Sequence, residues 1–209
     1  MDFGSNIREF GPVNLFDLGD LLSSKGDAFW EGHLEARKKL AGNRPGNAVF
    51  LINDAPASCP SRNLIEEAQR GAINVVHYVD DPIFRTVEKI VETQVQPFFK
   101  RARAMRVQLA TLPPGQKIKP HKDMGILTRI HRLHIPIITA QGVHFFVRRK
   151  RYFLEPAHLY ELNNGVMHSV VNESEVERVH LLVDMLPEEV GGINVHLDEK
   201  SHLNAVMKH

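Results

Sequence analysis

"RVQLATLPPGQKIKPHKDMG", residues 106–125, is where the chain changes its period. Up to this point apolar residues recur at helical spacing. From about residue 105 they recur at every second position, the spacing of a half-buried strand. "RVQLATL" is followed by "HRLHIPIIT", "GVHFFVRR", "AHLYEL", "MHSVVN" and "RVHLLVDML", with turns at "PPG", "AQG", "NNG" and "NES". Short strands at such intervals predict a β-sandwich or barrel. The end of the opening stretch, "KPHKDMG" (119–125), adds a second point. If residues 119–124 are extended, His121 and Asp123 project to one side and Lys122 to the other. Taken alone, His-x-Asp also fits a surface turn.

Upstream, "DDPIFRTVEKIVETQVQPFFKRARA" (80–104) reads as the clearest helix, with Ile83, Val87, Ile90, Val91 and Val95 on one face. Pro82 suits its first turn and Pro97 must end or kink it. "KRARAMR" (100–106) reads as the basic end of that helix. "DAFWEGHLEARKKLAG" (27–42) reads as a second helix with Trp30 in its core face, and "GNAVFLIN" (46–53) as a short strand. The expected architecture is mainly β with flanking helices, one domain over 1–209. A helical part, 1–104, packs on a β core, 105–187, and 188–209 forms a tail. At 209 residues and 43% apolar content, the chain can bury a full core.

Bulk properties exclude several function classes. A formal charge of +1 gives no global field for nucleic acid or for an acidic membrane. No run is long enough to span a bilayer, and the N-terminus has no basic region of a signal peptide. The single cysteine, Cys59, fits a reducing compartment, so a cytoplasmic protein is expected. Seven of the 12 histidines fall between residues 121 and 180, which places the chemistry in the second half. "RRKR" (148–151) reads as a solvated hairpin tip, and His131, His144 and His158 receive no role.

A third ligand for His121 and Asp123 is found in His168, which follows the "NNG" turn on a separate strand. Two imidazoles and one carboxylate on one side of an ion form the facial triad of non-haem iron oxygenases, although the same donors also suit zinc. Two stretches that echo each other, "RLHIPI" (132–137) and "RVHLLV" (178–183), separate these alternatives. Strand parity sets Arg132 with His134, and Arg178 with His180, opposite their apolar neighbours. Arginines inside an apolar β core require anions, and a bound dicarboxylate satisfies them by bidentate hydrogen bonds. A zinc hydrolase needs no such clamp.

Together "LATLPPGQKIKPHKDMG", "RLHIPI", "YELNNGVMHSVVNES" and "RVHLLVDMLP" resemble the aspartyl/asparaginyl β-hydroxylase family of Fe(II)/2-oxoglutarate-dependent dioxygenases. The resemblance is strong over residues 105–187 and general in layout over 28–104. It implies a double-stranded β-helix (jelly roll, cupin-like) that binds Fe(II), 2-oxoglutarate and O2, with succinate and CO2 as co-products. It also implies His121 and His168 as iron ligands, Arg178 on the co-substrate carboxylate, and Arg132 and His134 as further co-substrate contacts. Two departures stand out. The animal members lack the carboxylate ligand that Asp123 provides here, and a serine that touches the co-substrate in them aligns with Ala110. The expected substrate is a small amino-acid-like molecule, free or carrier-bound. Asp/Asn side chains of peptides are the alternative within the class, and a metal-binding cupin-like protein without oxygenase activity is the alternative outside it.

Overall fold

The computed structural model describes residues 3–31, 44–53, 74–75 and 81–191. The period-two region forms eight strands: β4 (Ala102–Leu112), β5 (Lys117–His121), β6 (His131–Ile138), β7 (Val143–Val147), β8 (Lys150–Tyr152), β9 (His158–Leu162), β10 (His168–Asn172) and β11 (Arg178–Pro187). They fall into two sheets. β9, β6, β11 and β4 lie side by side in the larger one, and β5-β10-β7-β8 make the smaller. The chain crosses repeatedly from one sheet to the other, which is the double-stranded β-helix. Every pairing is antiparallel, with β11 held between β4 and β6.

The N-terminal part also contributes strands. β1 (Ile7–Pro12) pairs with β9, and β2 (Ala48–Asn53) pairs with β4, with β3 (Asn74–Val75) beyond it. The larger sheet therefore has seven strands in the order β1-β9-β6-β11-β4-β2-β3. β2 matches the strand expected at "GNAVFLIN", whereas β1 has no counterpart in the sequence reading. Among the described residues, two short helices, α1 (Leu18–Ser23) and α2 (Asp27–Glu31), stand between β1 and β2. The rest of the helix expected over 27–42 lies outside the described residues, as do Cys59 and the tail from residue 192.

α3 (Pro82–Ile90) starts where its sequence says it should. Asp81 caps it by accepting the Ile83 N–H at 2.9 Å, and Pro82 occupies the first turn, where no N–H is needed. Ile83, Phe84, Val87 and Ile90 form its buried face. Its end differs from the expectation. The helix widens into a π-helical turn at Val91–Val95, tightens at Gln96–Phe98, and stops. Pro97 has no N–H to bond back to the preceding turn, and its ring conflicts with a regular helix there. The Gln96 amide then donates to the carbonyls of Phe99 (3.0 Å) and Ala102 (2.8 Å), stitching the helix end to the start of β4. "KRARAMR" is thus a turn followed by strand rather than a basic helix end.

The larger core lies between these helices and the outer face of the seven-stranded sheet. Val87, Ile90, Val91 and Val95 meet Leu109, Leu133, Ile135, Leu181 and Val183 there. A smaller core lies between the two sheets and includes Leu112, Val143, Phe145, Tyr160, Leu162 and Val170. The space beside this second core is where the charged strand residues converge.

Candidate active site

Strand parity delivers the expected residues to one cavity. Leu133, Ile135 and Ile137 of β6, and Val179, Leu181 and Val183 of β11, enter the helix-facing core. Arg132, His134 and Arg178 instead line a cavity of about 170 Å3 between the sheets, together with His121, Asp123 and His168. His180 lies just behind, fully buried, its ring stacked on Phe145 with centroids 5.5 Å apart and its Nδ1 3.5 Å from that of His134.

His121 ends β5 and is the direct cross-strand partner of His168 on β10, so their rings stand 4.3 Å apart. Asp123 follows two residues after His121, its N–H donated to the Asn164 carbonyl at 3.1 Å. One donor atom from each of His121, Asp123 and His168 lies within 4.8 Å of the other two. The tautomers are set locally. Nδ1 of His121 faces the Lys119 carbonyl at 2.8 Å, and Nδ1 of His168 faces the Val166 carbonyl at 2.9 Å. A carbonyl only accepts, so each Nδ1 carries the proton and each Nε2 keeps its lone pair. Burial pushes both imidazoles below the usual histidine value, against the opposing pull of those carbonyls, which keeps them in the ligating form. Two neutral imidazole nitrogens and a carboxylate oxygen on one side of a point fit a divalent transition metal with positions left open. Backbone bonds to the non-ligating nitrogens are the usual support for such a centre.

Asp123 is held by Arg132, whose Nη1 lies 2.5 Å from Oδ2, while Oδ1 faces His121 Nε2 at 3.7 Å. Arg132 is in turn braced by Asp184, with Nε to Oδ1 at 2.9 Å and Nη2 to Oδ2 at 3.0 Å. Arg106 closes the chain on the other side, its Nε 2.7 Å from Asp184 Oδ2. Burial alone would raise the Asp184 carboxyl, yet Arg106 and Arg132 together hold it down at about 2. The same two aspartates, against the cost of burial, raise Arg132 above the ordinary guanidinium value. This differs from the expectation that Arg132 is a co-substrate contact: its charge is committed to Asp184 and Asp123.

Arg178 is the opposite case. It is 3% exposed, and among the described residues its Nε has no hydrogen-bond partner and its one hydrogen bond is a long one from Nη2 to the Ala110 carbonyl at 3.4 Å. Burial pulls its guanidinium down to about 10, with no carboxylate among the described residues opposing it. His134, between the two arginines, is neutral: burial, then Arg178 and Arg132, push it well below the usual histidine value. Residues the sequence reading missed are Asp184, Arg106, Arg44 and Asn164. Asp184 carried a signal, since it shares parity with Arg178 and His180 on β11. Arg44 carried none.

A double-stranded β-helix with a His-Asp-His cluster and a buried arginine defines a metal-dependent oxygenase architecture. The family model for aspartyl/asparaginyl β-hydroxylases matches residues 83–187, half of the chain, and the chain belongs to that family. It is accordingly a hydroxylase of the dioxygenase class that the sequence resembled. Similar solved structures include an oxidoreductase of the 2OG-Fe(II) oxygenase family from Burkholderia pseudomallei, at 15% identity over 83% of this chain and 90% of that one, with TM-score 0.49. A viral collagen prolyl hydroxylase from Paramecium bursaria Chlorella virus-1, in complex with 2OG, is 9% identical over 88% of this chain and 97% of that one, with TM-score 0.47. A cupin domain from Bordetella pertussis is 21% identical over 38% and 79%, with TM-score 0.32. No curated protein matches. Among the described residues, no helix is long and apolar enough to cross a membrane.

Proposed function

We propose that this protein hydroxylates an amino acid, or an amino-acyl group of a small molecule, using Fe(II), 2-oxoglutarate and O2. The observation that carries this reading is Arg178: a buried guanidinium without an anion among the described residues, in the same cavity as the triad. An arginine left so is costly unless a ligand supplies the negative charge. The far carboxylate of a dicarboxylate such as 2-oxoglutarate fits that need in a bidentate way.

His121, Asp123 and His168 would hold the metal, His121 and His168 through Nε2. The bound ferrous ion would supply the oxidative chemistry that couples decarboxylation of 2-oxoglutarate to insertion of one oxygen atom in a C–H bond. Arg178 would set the depth of the co-substrate, and His134 beside it, being neutral, offers a hydrogen bond without repelling the arginine. Arg132 would act as a positioning residue: it holds Asp123 Oδ2 so that Oδ1 is presented to the ion. Phe145, Leu162 and Val170 line the same cavity and would keep water from the co-substrate chain.

The cavity of about 170 Å3 favours a small substrate. Pockets for drug-sized ligands measure roughly 300–1,000 Å3. Segment 52–81, which with the helices before it is expected to roof a small pocket, lies outside the described residues except for 52–53, 74–75 and 81. The single cysteine suits a reducing compartment, and we place the protein in the cytoplasm on that ground.

Anaerobic titration with Fe(II) and then 2-oxoglutarate tests the centre. The weak visible charge-transfer band of the chelate should form in the wild type and be absent in His121→Ala and His168→Ala. Succinate release across free amino acids, N-acyl amino acids, carrier conjugates and short Asp/Asn peptides tests the substrate class. Coupled turnover of the peptides alone would reject the small-substrate reading.

A further inference from the structure

Two of the buried histidines face each other nitrogen to nitrogen. His180 is fully buried, and its Nδ1 stands 3.5 Å from Nδ1 of His134. Phe145 fixes both rings, lying flat on His180 at 5.5 Å and edge-on to His134 at 5.6 Å. The strands bring the pair together. His180 lies opposite Pro136 of β6, a residue with no N–H for the ladder, and the register of β11 shifts there, between Val179 and His180. His134 precedes Pro136 by two residues, so the two imidazoles are diagonal neighbours on adjacent strands, a separation that rings can bridge.

Both rings are neutral. Burial comes first for each, followed by Arg178, and pushes both well below the usual histidine value. Two neutral imidazoles that meet at Nδ1 share one proton there, since two protons would collide and two lone pairs would repel. One ring therefore donates from Nδ1, and the other carries its proton on Nε2. Nε2 of His180 has no hydrogen-bond partner among the described residues. If His134 were the donor, the His180 proton would sit on that nitrogen, and an N–H sealed without an acceptor is the rarer defect in folded proteins. With His180 as the donor, the His134 proton is on Nε2, the nitrogen that points away from His180, and His134 lines the cavity together with Arg178. We propose that His180 is a positioning residue for the co-substrate: by donating from Nδ1 it fixes His134 as an uncharged Nε2–H donor to the carboxylate that Arg178 receives.

This device inverts the one at the metal donors. Backbone carbonyls put the protons of His121 and His168 on Nδ1 and leave Nε2 free to ligate, whereas an imidazole puts the proton of His134 on Nε2. One cavity thereby holds histidines in both neutral tautomers, with lone pairs toward the ion and an N–H toward the anion. Without the His180 donor, His134 is free to carry its proton on Nδ1, and its Nε2 lone pair then meets a carboxylate oxygen. Arg178 supplies the charge, and the His180–His134 pair adds a directed hydrogen bond without a second charge in the apolar cluster between the sheets.

This role rests on the co-substrate reading above, and the two fail differently. In metal-free, nitrogen-15-labelled wild type, the imidazole nitrogen shifts report the tautomers, with the two rings assigned by through-bond correlation to the backbone. His134 should be the Nε2–H form and His180 the Nδ1–H form, and the reverse overturns the assignment whether or not any variant folds. The Fe(II)-loaded protein is then titrated anaerobically with 2-oxoglutarate, and the charge-transfer band reports binding. His180→Phe keeps a ring against Phe145 and loses the donor. It should bind 2-oxoglutarate about tenfold or more weakly, while urea unfolding of the metal-free protein shows stability equal to wild type or higher, because a buried nitrogen without a partner is removed. His180→Asn restores an N–H near the Nδ1 position. It should bind 2-oxoglutarate more tightly than His180→Phe, although its smaller side chain makes it the less stable of the two. If affinity follows stability across the two variants, or if His180→Phe binds as wild type does, His180 has no positioning role. Absence of the band in the wild type overturns the co-substrate reading and this role with it. A normal wild-type band with unchanged 2-oxoglutarate affinity in His180→Phe overturns this role alone.

Discussion

Arg132 and Arg178 open the same three-residue pattern, Arg-x-His, on adjacent strands of one sheet, and they meet opposite surroundings. Register explains the difference. Asp184 on β11 lies directly opposite Arg132 on β6 and opposite Arg106 on β4, so three neighbouring strands bring a carboxylate between two guanidinium groups. Six residues earlier on the same strand, Arg178 lies opposite Leu112, beside the apolar cluster between the sheets. Cross-strand pairing, not the local motif, decides whether a buried arginine is a brace or a receptor. One arginine stabilises the fold as it stands, and the other leaves a charge for a ligand to meet.

The largest expected effect would break the brace. Arg132→Met leaves Asp123 without its cation and Asp184 with Arg106 alone. Stability should fall by about 3–5 kcal/mol, measured by urea unfolding at neutral pH. If the two arginines are as different as their surroundings, Arg178→Met should instead leave stability in the absence of ligand equal or higher, since it removes a buried charge without a carboxylate partner among the described residues. Its cost should appear in co-substrate binding, at about 2–5 kcal/mol, or well over tenfold in the concentration of 2-oxoglutarate required. Arg178→Lys should recover part of this, having lost the planar fork. Equal 2-oxoglutarate affinity in Arg178→Met would move the clamp elsewhere.

A smaller effect sharpens the comparison through pH. The Asp184 carboxyl titrates at about 2 in the folded protein against 3.8 for an unperturbed aspartate. Its contribution is complete above the unfolded value and is lost as pH falls through the folded one. The window therefore runs from about pH 4 down to about pH 2, with about 2 kcal/mol at stake. Asp184→Asn should flatten the stability profile across that window, whereas Arg178→Met should retain the wild-type slope.

Much of this was legible in the sequence because a strand has the simplest of periods. The six strands read from alternation are all present, and the parity that pairs His121 with Asp123 and Arg132 with His134 needs no tertiary information. Partnership across strands was not legible. Two arginines asked for anions, but which of them already had one depends on a register that places Asp184 opposite Arg132, and a single strand does not encode it. The helix read over 80–104 ran too far because Arg101 and Arg103 suit a helix end as well as a strand, and Pro97 alone marked the break. β1 was missed because "IREFGP" is short and half polar, with an edge position that asks little of its side chains. Arg44 joins the site through the close approach of Gly46 to β4, a contact between stretches more than sixty residues apart (Gly46 to Thr111).

The cross-strand pair of His121 and His168 has a mechanical consequence. Among the described strands, β5 is the border of the smaller sheet and touches only β10. Lys117, Lys119 and Pro120 are exposed along it, so little apolar contact secures it, although the lysines and the proline discourage another chain from docking there. On the proposed ligand set, two donors leave the end of this border strand and the third leaves β10. An ion between them is a clasp on the seam. Chelation should let β5 fray, with faster amide hydrogen exchange at Lys117–Lys119 than in the interior strand β7, and should shorten the shelf life of concentrated protein as an open seam finds a second copy.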